Sequence, residues 1–154
     1  MKHEELFEEN CAVARTSAVV GERWVWLILR QAFNGAHRFE EFQRGIGLAR
    51  NVLVDRMNML IEQEIIEKRL IPGSRTREEY RLTDKGRALF PAYVALMQWG
   101  NEWTGLAAPP VELLHKPCQH RSNPVVVCDH CSEPIDARDT EPVVGRGLIL
   151  GGRR

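Results

Sequence analysis

The 154-residue sequence predicts a mainly α, α+β fold, and three observations carry that prediction. Several segments repeat apolar residues at helical spacing. One stretch between them changes to strand-like character and is broken by a Pro-Gly-Ser turn. A further long helical segment then runs into a Pro-rich link and a short tail that bears Cys and His. The composition, 44% hydrophobic and 27% charged, suits a folded chain and excludes disorder throughout. No run approaches the roughly 18 to 20 apolar residues of a membrane span. The acidic opening MKHEELFEEN has no apolar leader segment, so the expected compartment is the cytoplasm, where thiols stay reduced. The 21 Lys and Arg balance 21 Asp and Glu, so any nucleic-acid surface has to come from local charge placement.

The elements follow in order. Leu6, Phe7, Val13, Ala14, Ser17 and Ala18 give residues 5–20 one helical period. Gly21 interrupts it. Trp24, Leu27, Ile28 and Gln31 then fall at i, i+3, i+4 and i+7, a core-facing stripe, and Asn34-Gly35 ends that helix. A short helix carries Phe39 and Phe42, and Gly45-Ile46-Gly47 is read as a turn. The helix over 49–63 buries Leu53, Met57 and Leu60 and turns Arg50, Asn51, Val54, Asp55 and Asn58 outward. Strands at 65–71 and 76–82 flank Pro72-Gly73-Ser74 and make a hairpin. Thr83-Asp84 caps a long helix to about Thr104, which Pro91 should kink. Ala107-Ala108-Pro109-Pro110 is a linker.

Four helices, a hairpin and a long helix make up a winged helix-turn-helix with a two-stranded wing. Its DNA-binding and dimerisation domain is expected over 1–106, a small Cys/His tail over 111–144, and disorder over 145–154. The helix over 49–63 then enters the major groove of double-stranded DNA. Arg50 and Asn51, in its first turn, match the bidentate pairing of Arg with guanine and Asn with adenine. Val54 and Asn58 extend the reading face. Arg56 is either a phosphate contact or a structural ion pair. Between His37 and Arg87, 11 basic residues face 9 acidic ones, and Lys68, Arg69, Arg75, Arg77 and Arg81 cluster in the wing. Arg75 and Arg77, in the wing over 71–77, and Arg38 join the candidate DNA contacts. Lys68 or Arg69 has Glu78 and Glu79 as pairing partners.

Several motifs in order resemble HxlR-type transcriptional regulators. They are Cys11 to Arg15, Val20-Gly21-Glu22-Arg23-Trp24, Leu27-Ile28-Leu29-Arg30, His37 to Phe42, Leu53-Val54-Asp55-Arg56-Met57, and Glu79-Tyr80-Arg81-Leu82-Thr83-Asp84-Lys85-Gly86. The resemblance covers residues 11 to about 104. Ala12 stands where that pattern has Pro, and Ala49 where many members have a Ser cap. The resemblance implies a bacterial homodimer, commonly a repressor, on a palindromic operator. It implies dimerisation through the first and last helices, which makes Leu6, Phe7, Tyr93, Met97, Trp99 and Trp103 candidate interface residues. Cys11 matches a family Cys that senses oxidants or electrophiles in some members. The residues favour a buried, inert Cys11, although Arg15 one turn on would help a reactive thiolate and Glu8 and Glu9 oppose it. The alternative within the same class is a MarR-type redox- or ligand-sensing regulator, a family that usually has longer flanking dimerisation helices and lacks the Gly-x-Lys/Arg-Trp opening. A small-molecule or oxidant effector is left unassigned.

In the tail, His115-x-x-Cys118 and Cys128-x-x-Cys131 have the pair spacing of zinc knuckles, with His120 and His130 spare and no Gly after Cys118 or Cys131. Val125-Val126-Val127 is the strand such a ribbon needs. Structural zinc, a labile Cys128–Cys131 disulfide and free thiols stay open as readings. No cofactor is otherwise indicated. There is no phosphate-binding Gly loop and no triad pattern, so no enzyme is expected. The reading from another class is a protein-interaction module that uses the winged scaffold and a metal-bound tail.

Overall fold

The computed structural model describes residues 3–145 and 147. The expected disorder over 145–154 falls almost wholly outside the described residues. The chain forms two compact units, 1–90 and 91–154. The helix α7 (Phe90–Trp103) lies in the second unit from Pro91 onward, whereas the sequence places 1–106 in one domain.

The first unit holds α1 (His3–Glu8), α2 (Ala12–Val20), α3 (Arg23–Phe33), α4 (Phe39–Ile46) and α5 (Arg50–Glu62). The strands β1 (Ile66–Leu70) and β2 (Glu78–Leu82) and the one-turn helix α6 (Asp84–Arg87) complete it. The single helix read over 5–20 is in fact two, because the chain leaves helical conformation at Cys11 (φ −139°). Periodicity survives such a break, since apolar faces on both sides still seek the same core.

One cluster holds the unit together. Val20, Val25, Ile28, Leu29, Phe42, Leu53, Met57, Leu60, Ile65 and Ile66 are all buried in it. Each large side chain there contributes about 1.5–3 kcal/mol. Leu53, Met57 and Leu60 line the inner face of α5 as their spacing predicts. The α3 stripe is a correction: Val25, Ile28 and Leu29 are buried, whereas Trp24 is only half-buried, with the Arg23 guanidinium 4.6 Å from its ring centroid. The helix is rotated from the predicted face because Val25 and Leu29, rather than Trp24 and Leu27, meet the core.

The helix α4 runs through Gly45 and ends on Gly47 in the left-handed region (φ 76°), so the predicted turn begins two residues late. The wing pairs antiparallel from Ile66 with Leu82 to Leu70 with Glu78. The long terminal helix expected from Thr83 is split. Thr83 caps α6, accepting the Gly86 N–H at 3.0 Å, and the chain turns before α7 begins at Phe90. Pro91 therefore sits in a first helical turn, where its missing N–H costs nothing, instead of kinking a helix interior.

In the second unit α7 precedes a small hairpin of β3 (Leu113–His115) and β4 (His120–Ser122). The Gln98 amide donates to Asn123 Oδ1 at 2.8 Å and to the Pro124 carbonyl. Val125 to Val127 do not form the predicted strand. Val127 makes only an isolated bridge to Pro134, and the tail's strands lie at 113–115 and 120–122.

Candidate nucleic-acid interface

The helix-turn-helix is α4, a three-residue turn and α5. With Leu53, Met57 and Leu60 held in the core, Arg50, Asn51, Val54, Asp55 and Asn58 project into solvent. Ala49 supplies no side-chain cap, so the first N–H groups of α5 lack a side-chain acceptor. The Arg50 guanidinium lies 4.5 Å from the Phe39 ring centroid. This cation–π contact orients Arg50 from the neighbouring helix. Arg56 takes the second of its two predicted roles: half-buried, it pairs with Glu22 at 2.8 Å and ties α5 to the start of α3. Sequence spacing did not reveal Glu22 as its partner, because the two lie far apart along the chain.

The mount of α4 is built from polar contacts. The Glu41 carboxylate accepts the N–H groups of His37 at 2.8 Å and Arg38 at 3.0 Å. The His37 N–H, then that of Arg38, holds its carboxyl below the ordinary 4.5. The Arg38 side chain is exposed at this helix start. At the other end, the Gly45 carbonyl accepts from Arg30 at 3.2 Å and Gln31 at 3.0 Å, which docks α4 on α3.

The wing separates its charges. At its base Lys68 pairs with Glu78 at 4.0 Å, Arg69 pairs with Glu67, and Arg81 pairs with Glu79 at 2.8 Å. At its tip Arg75 and Arg77 are exposed, and no acidic group pairs with either among the described residues. The tip is a shaped turn: Ile71 N–H bonds the Arg77 carbonyl at 2.9 Å, and the Ser74 hydroxyl accepts from Arg77 N–H at 2.9 Å and Thr76 N–H at 3.3 Å. Gly73 takes the left-handed conformation (φ 81°). Ser74 was missed as an organising residue; its position within a turn was the available signal.

A latch fixes the base of the wing to the segment that follows α5. Thr83 N–H and hydroxyl both bond the Ile65 carbonyl, at 3.1 and 3.3 Å, and the hydroxyl also reaches Glu64 O at 2.5 Å. Tyr80 N–H bonds the His37 carbonyl at 2.8 Å. The Glu79-to-Gly86 motif is thus a joint that sets the wing against the helix-turn-helix.

Cys11 is exposed at the start of α2, a correction to the burial expected for it, because the break between α1 and α2 lifts it out of the core. Arg15 is engaged elsewhere, donating to the Glu9 carbonyl at 2.6 Å. Of the candidate interface residues, Leu6, Tyr93 and Met97 are half-buried. Phe7, Trp99 and Trp103 are exposed. In the tail His115 Nδ1 lies 3.1 Å from Cys118 Sγ. The Cys131 N–H, then the His130 N–H and the Cys131 thiol, hold the Cys128 thiol below its ordinary value. No group of three or more His, Cys, Asp or Glu placed to hold a metal occurs among the described residues, so the two pairs stand apart.

A helix-turn-helix with an outward polar face and a free cationic wing tip defines a DNA-binding transcriptional regulator of the winged-helix type. The model of the HxlR-like helix-turn-helix family matches residues 19–107, and the chain belongs to that family. It is 42% identical over 141 residues to Rv3095 of Mycobacterium tuberculosis strain H37Rv, an uncharacterized HTH-type transcriptional regulator. That match spans 91% of this chain and 89% of the relative. The crystal structure of PA1607, a proposed transcription factor, superimposes with a TM-score of 0.81 at 37% identity, covering 90% of this chain and 98% of that one. The reduced form of the transcriptional regulator YodB of Bacillus subtilis gives a TM-score of 0.54 at 26% identity over 63% of this chain and 97% of that one. The family and these relatives are regulators of transcription, not enzymes. No helix among the described residues is long and apolar enough to cross a membrane.

Proposed function

We propose that this regulator is a homodimeric repressor of a palindromic operator. It reads base edges with Arg50, Asn51, Val54 and Asn58 of α5, and holds the phosphate backbone with Arg38, Arg75 and Arg77. The observation that carries the reading is the division of basic groups: the wing-base cations and Arg56 are paired within the chain, while the wing-tip arginines keep their charge for an outside anion. Arg50, held over Phe39, reaches solvent from the first turn of α5. The uncapped N–H groups of that turn suit a phosphate. Dimerisation draws support from the outer side of α7, where Leu96, Trp99 and Trp103 are 47%, 60% and 66% exposed. A two-fold protein then requires a two-fold site.

The test is selection of genomic fragments by the purified protein, followed by titration of the selected site from about 50 to 200 mM salt. The expected result is a palindrome upstream of a gene, bound with a steep salt slope. Arg50→Ala should cost about 1–3 kcal/mol and relax specificity. Arg77→Ala should weaken all sequences alike and lower the slope by about one. Specific binding that survives Arg50→Ala overturns the assignment of the reading helix; binding without sequence preference overturns the operator reading.

A redox-responsive form of the same function has one observation in its favour, the exposed thiol of Cys11 at the start of α2. YodB has been solved both reduced and diamide-treated. On this reading diamide releases the wild type from its operator and leaves Cys11→Ser bound.

A further inference from the structure

The tail from residue 104 to 145 contains no buried residue, so it has no apolar core of its own to hold it folded. It nevertheless makes two tight reversals, each with a His/Cys or Cys/Cys pair at i and i+3. In the first, His115 pairs with His120 at the end of the β3–β4 hairpin, and His115 Nδ1 comes to 3.1 Å from Cys118 Sγ. In the second, a turn over 129–131 separates Cys128 from Cys131. The same reversal is closed by Cys128 N–H on Glu133 O and Ser132 N–H on Cys128 O, each at 2.9 Å.

The residue after each pair tells more. Only Glu64, Gln119 and Ser132 among the described non-glycine residues have positive φ. Gln119 (φ 55°) directly follows Cys118, and Ser132 (φ 63°) directly follows Cys131. In both reversals the chain turns out through the left-handed region at the residue after the second side chain of the pair. Glycine does this freely, and other residues do so at a cost. The absence of Gly at these positions therefore does not remove the geometry: both turns adopt it without Gly. An ordinary reversal needs no pair of sulfur or imidazole side chains at i and i+3.

We propose that the tail binds one zinc ion between the two reversals, with His115 and Cys118 from the first and Cys128 and Cys131 from the second as a tetrahedral set of one nitrogen and three sulfurs. Among the described residues the pairs stand apart, so binding closes the two reversals on the ion, at about 2.3 Å for Zn–S and 2.0–2.1 Å for Zn–N. The three thiols release their protons to solvent as they become thiolates. The ion has a structural role, supplying the fixed point that the missing core does not. His115 is the imidazole ligand because its ring already meets Cys118; His120 lies across the strand pair from it.

The experiment uses the full chain, purified without chelator, with metal content measured by mass spectrometry and the site probed by Co²⁺ substitution. The expected result is about one zinc per chain. Co²⁺ should give thiolate charge-transfer absorption and the intense visible bands of a tetrahedral ion. Cys118→Ser, Cys128→Ser and His115→Ala should each lose that spectrum and release zinc to a chromogenic chelator, while His120→Ala retains both. Far-UV circular dichroism and operator binding of the variants report separately on the winged unit. Absence of zinc together with an octahedral Co²⁺ spectrum overturns the proposal. So does a site that survives Cys118→Ser and His115→Ala unchanged, since it would need Cys128 and Cys131 alone.

Discussion

Gly86→Ala tests the joint that sets the wing against the reading helix. Gly86 is buried in α6, and a Cβ built on it would lie 2.1 Å from the Ile65 carbonyl oxygen and 3.1 Å from Leu82 Cδ2. A carbon and a carbonyl oxygen ordinarily approach no closer than about 3.3 Å, so roughly 1 Å of backbone movement is needed. The obstacle is main chain, and the same carbonyl accepts both Thr83 bonds. Overpacking of this kind costs about 1–3 kcal/mol, and weakening one joint hydrogen bond about 0.5–1.5 more. The better helix propensity of Ala returns up to about 1 kcal/mol. The net expectation is a loss of about 2 kcal/mol, or a fall in Tm of about 4–8 °C for a chain of this size. Urea unfolding followed by tryptophan fluorescence measures it, with a lower midpoint and unchanged slope expected. The companion is Gly45→Ala, whose Cβ would meet the Gln31 side chain first, at 2.5 Å. That amide can swing away, so this change should stay within about 1 kcal/mol of wild type. A Gly86→Ala protein as stable as wild type, or one no worse than Gly45→Ala, would refute the latch.

Three further outcomes are expected. Because the Glu41 carboxyl is held below 4.5, its contribution is present above that pH and is lost as pH falls through the folded value. Glu41→Gln should therefore flatten the acid limb of a plot of urea midpoint against pH, and an unchanged limb speaks against the cap. Arg56→Met should lower stability by less than about 1 kcal/mol and leave the salt slope of DNA binding untouched; a slope reduced by about one makes Arg56 a phosphate contact instead. The double change Trp99→Ser, Trp103→Ser should shift the protein toward monomer in sedimentation equilibrium while the first unit keeps its fold. An undisturbed dimer moves the interface off α7.

Local pattern determined much of this protein. The spacing of Leu53, Met57 and Leu60 fixes which face of α5 is buried, because the helical period is a property of the backbone alone. The outward set of Arg50, Asn51, Val54 and Asn58 follows from it. Pro72-Gly73-Ser74 marks the wing turn, since these residue types suit a reversal whatever surrounds them. The spacing within the His115–Cys118 and Cys128–Cys131 pairs was legible for the same reason.

What depends on a distant neighbour was not legible. Whether Arg56 faces DNA or Glu22, and whether Lys68 or Arg77 keeps a free charge, is decided by which element lies opposite. The rotation of α3 and the exposure of Cys11 likewise follow from how helices meet a shared core. Hydrophobic periodicity records that a residue seeks an interior. Only the tertiary structure states which interior is filled and which charges are spent in reaching it.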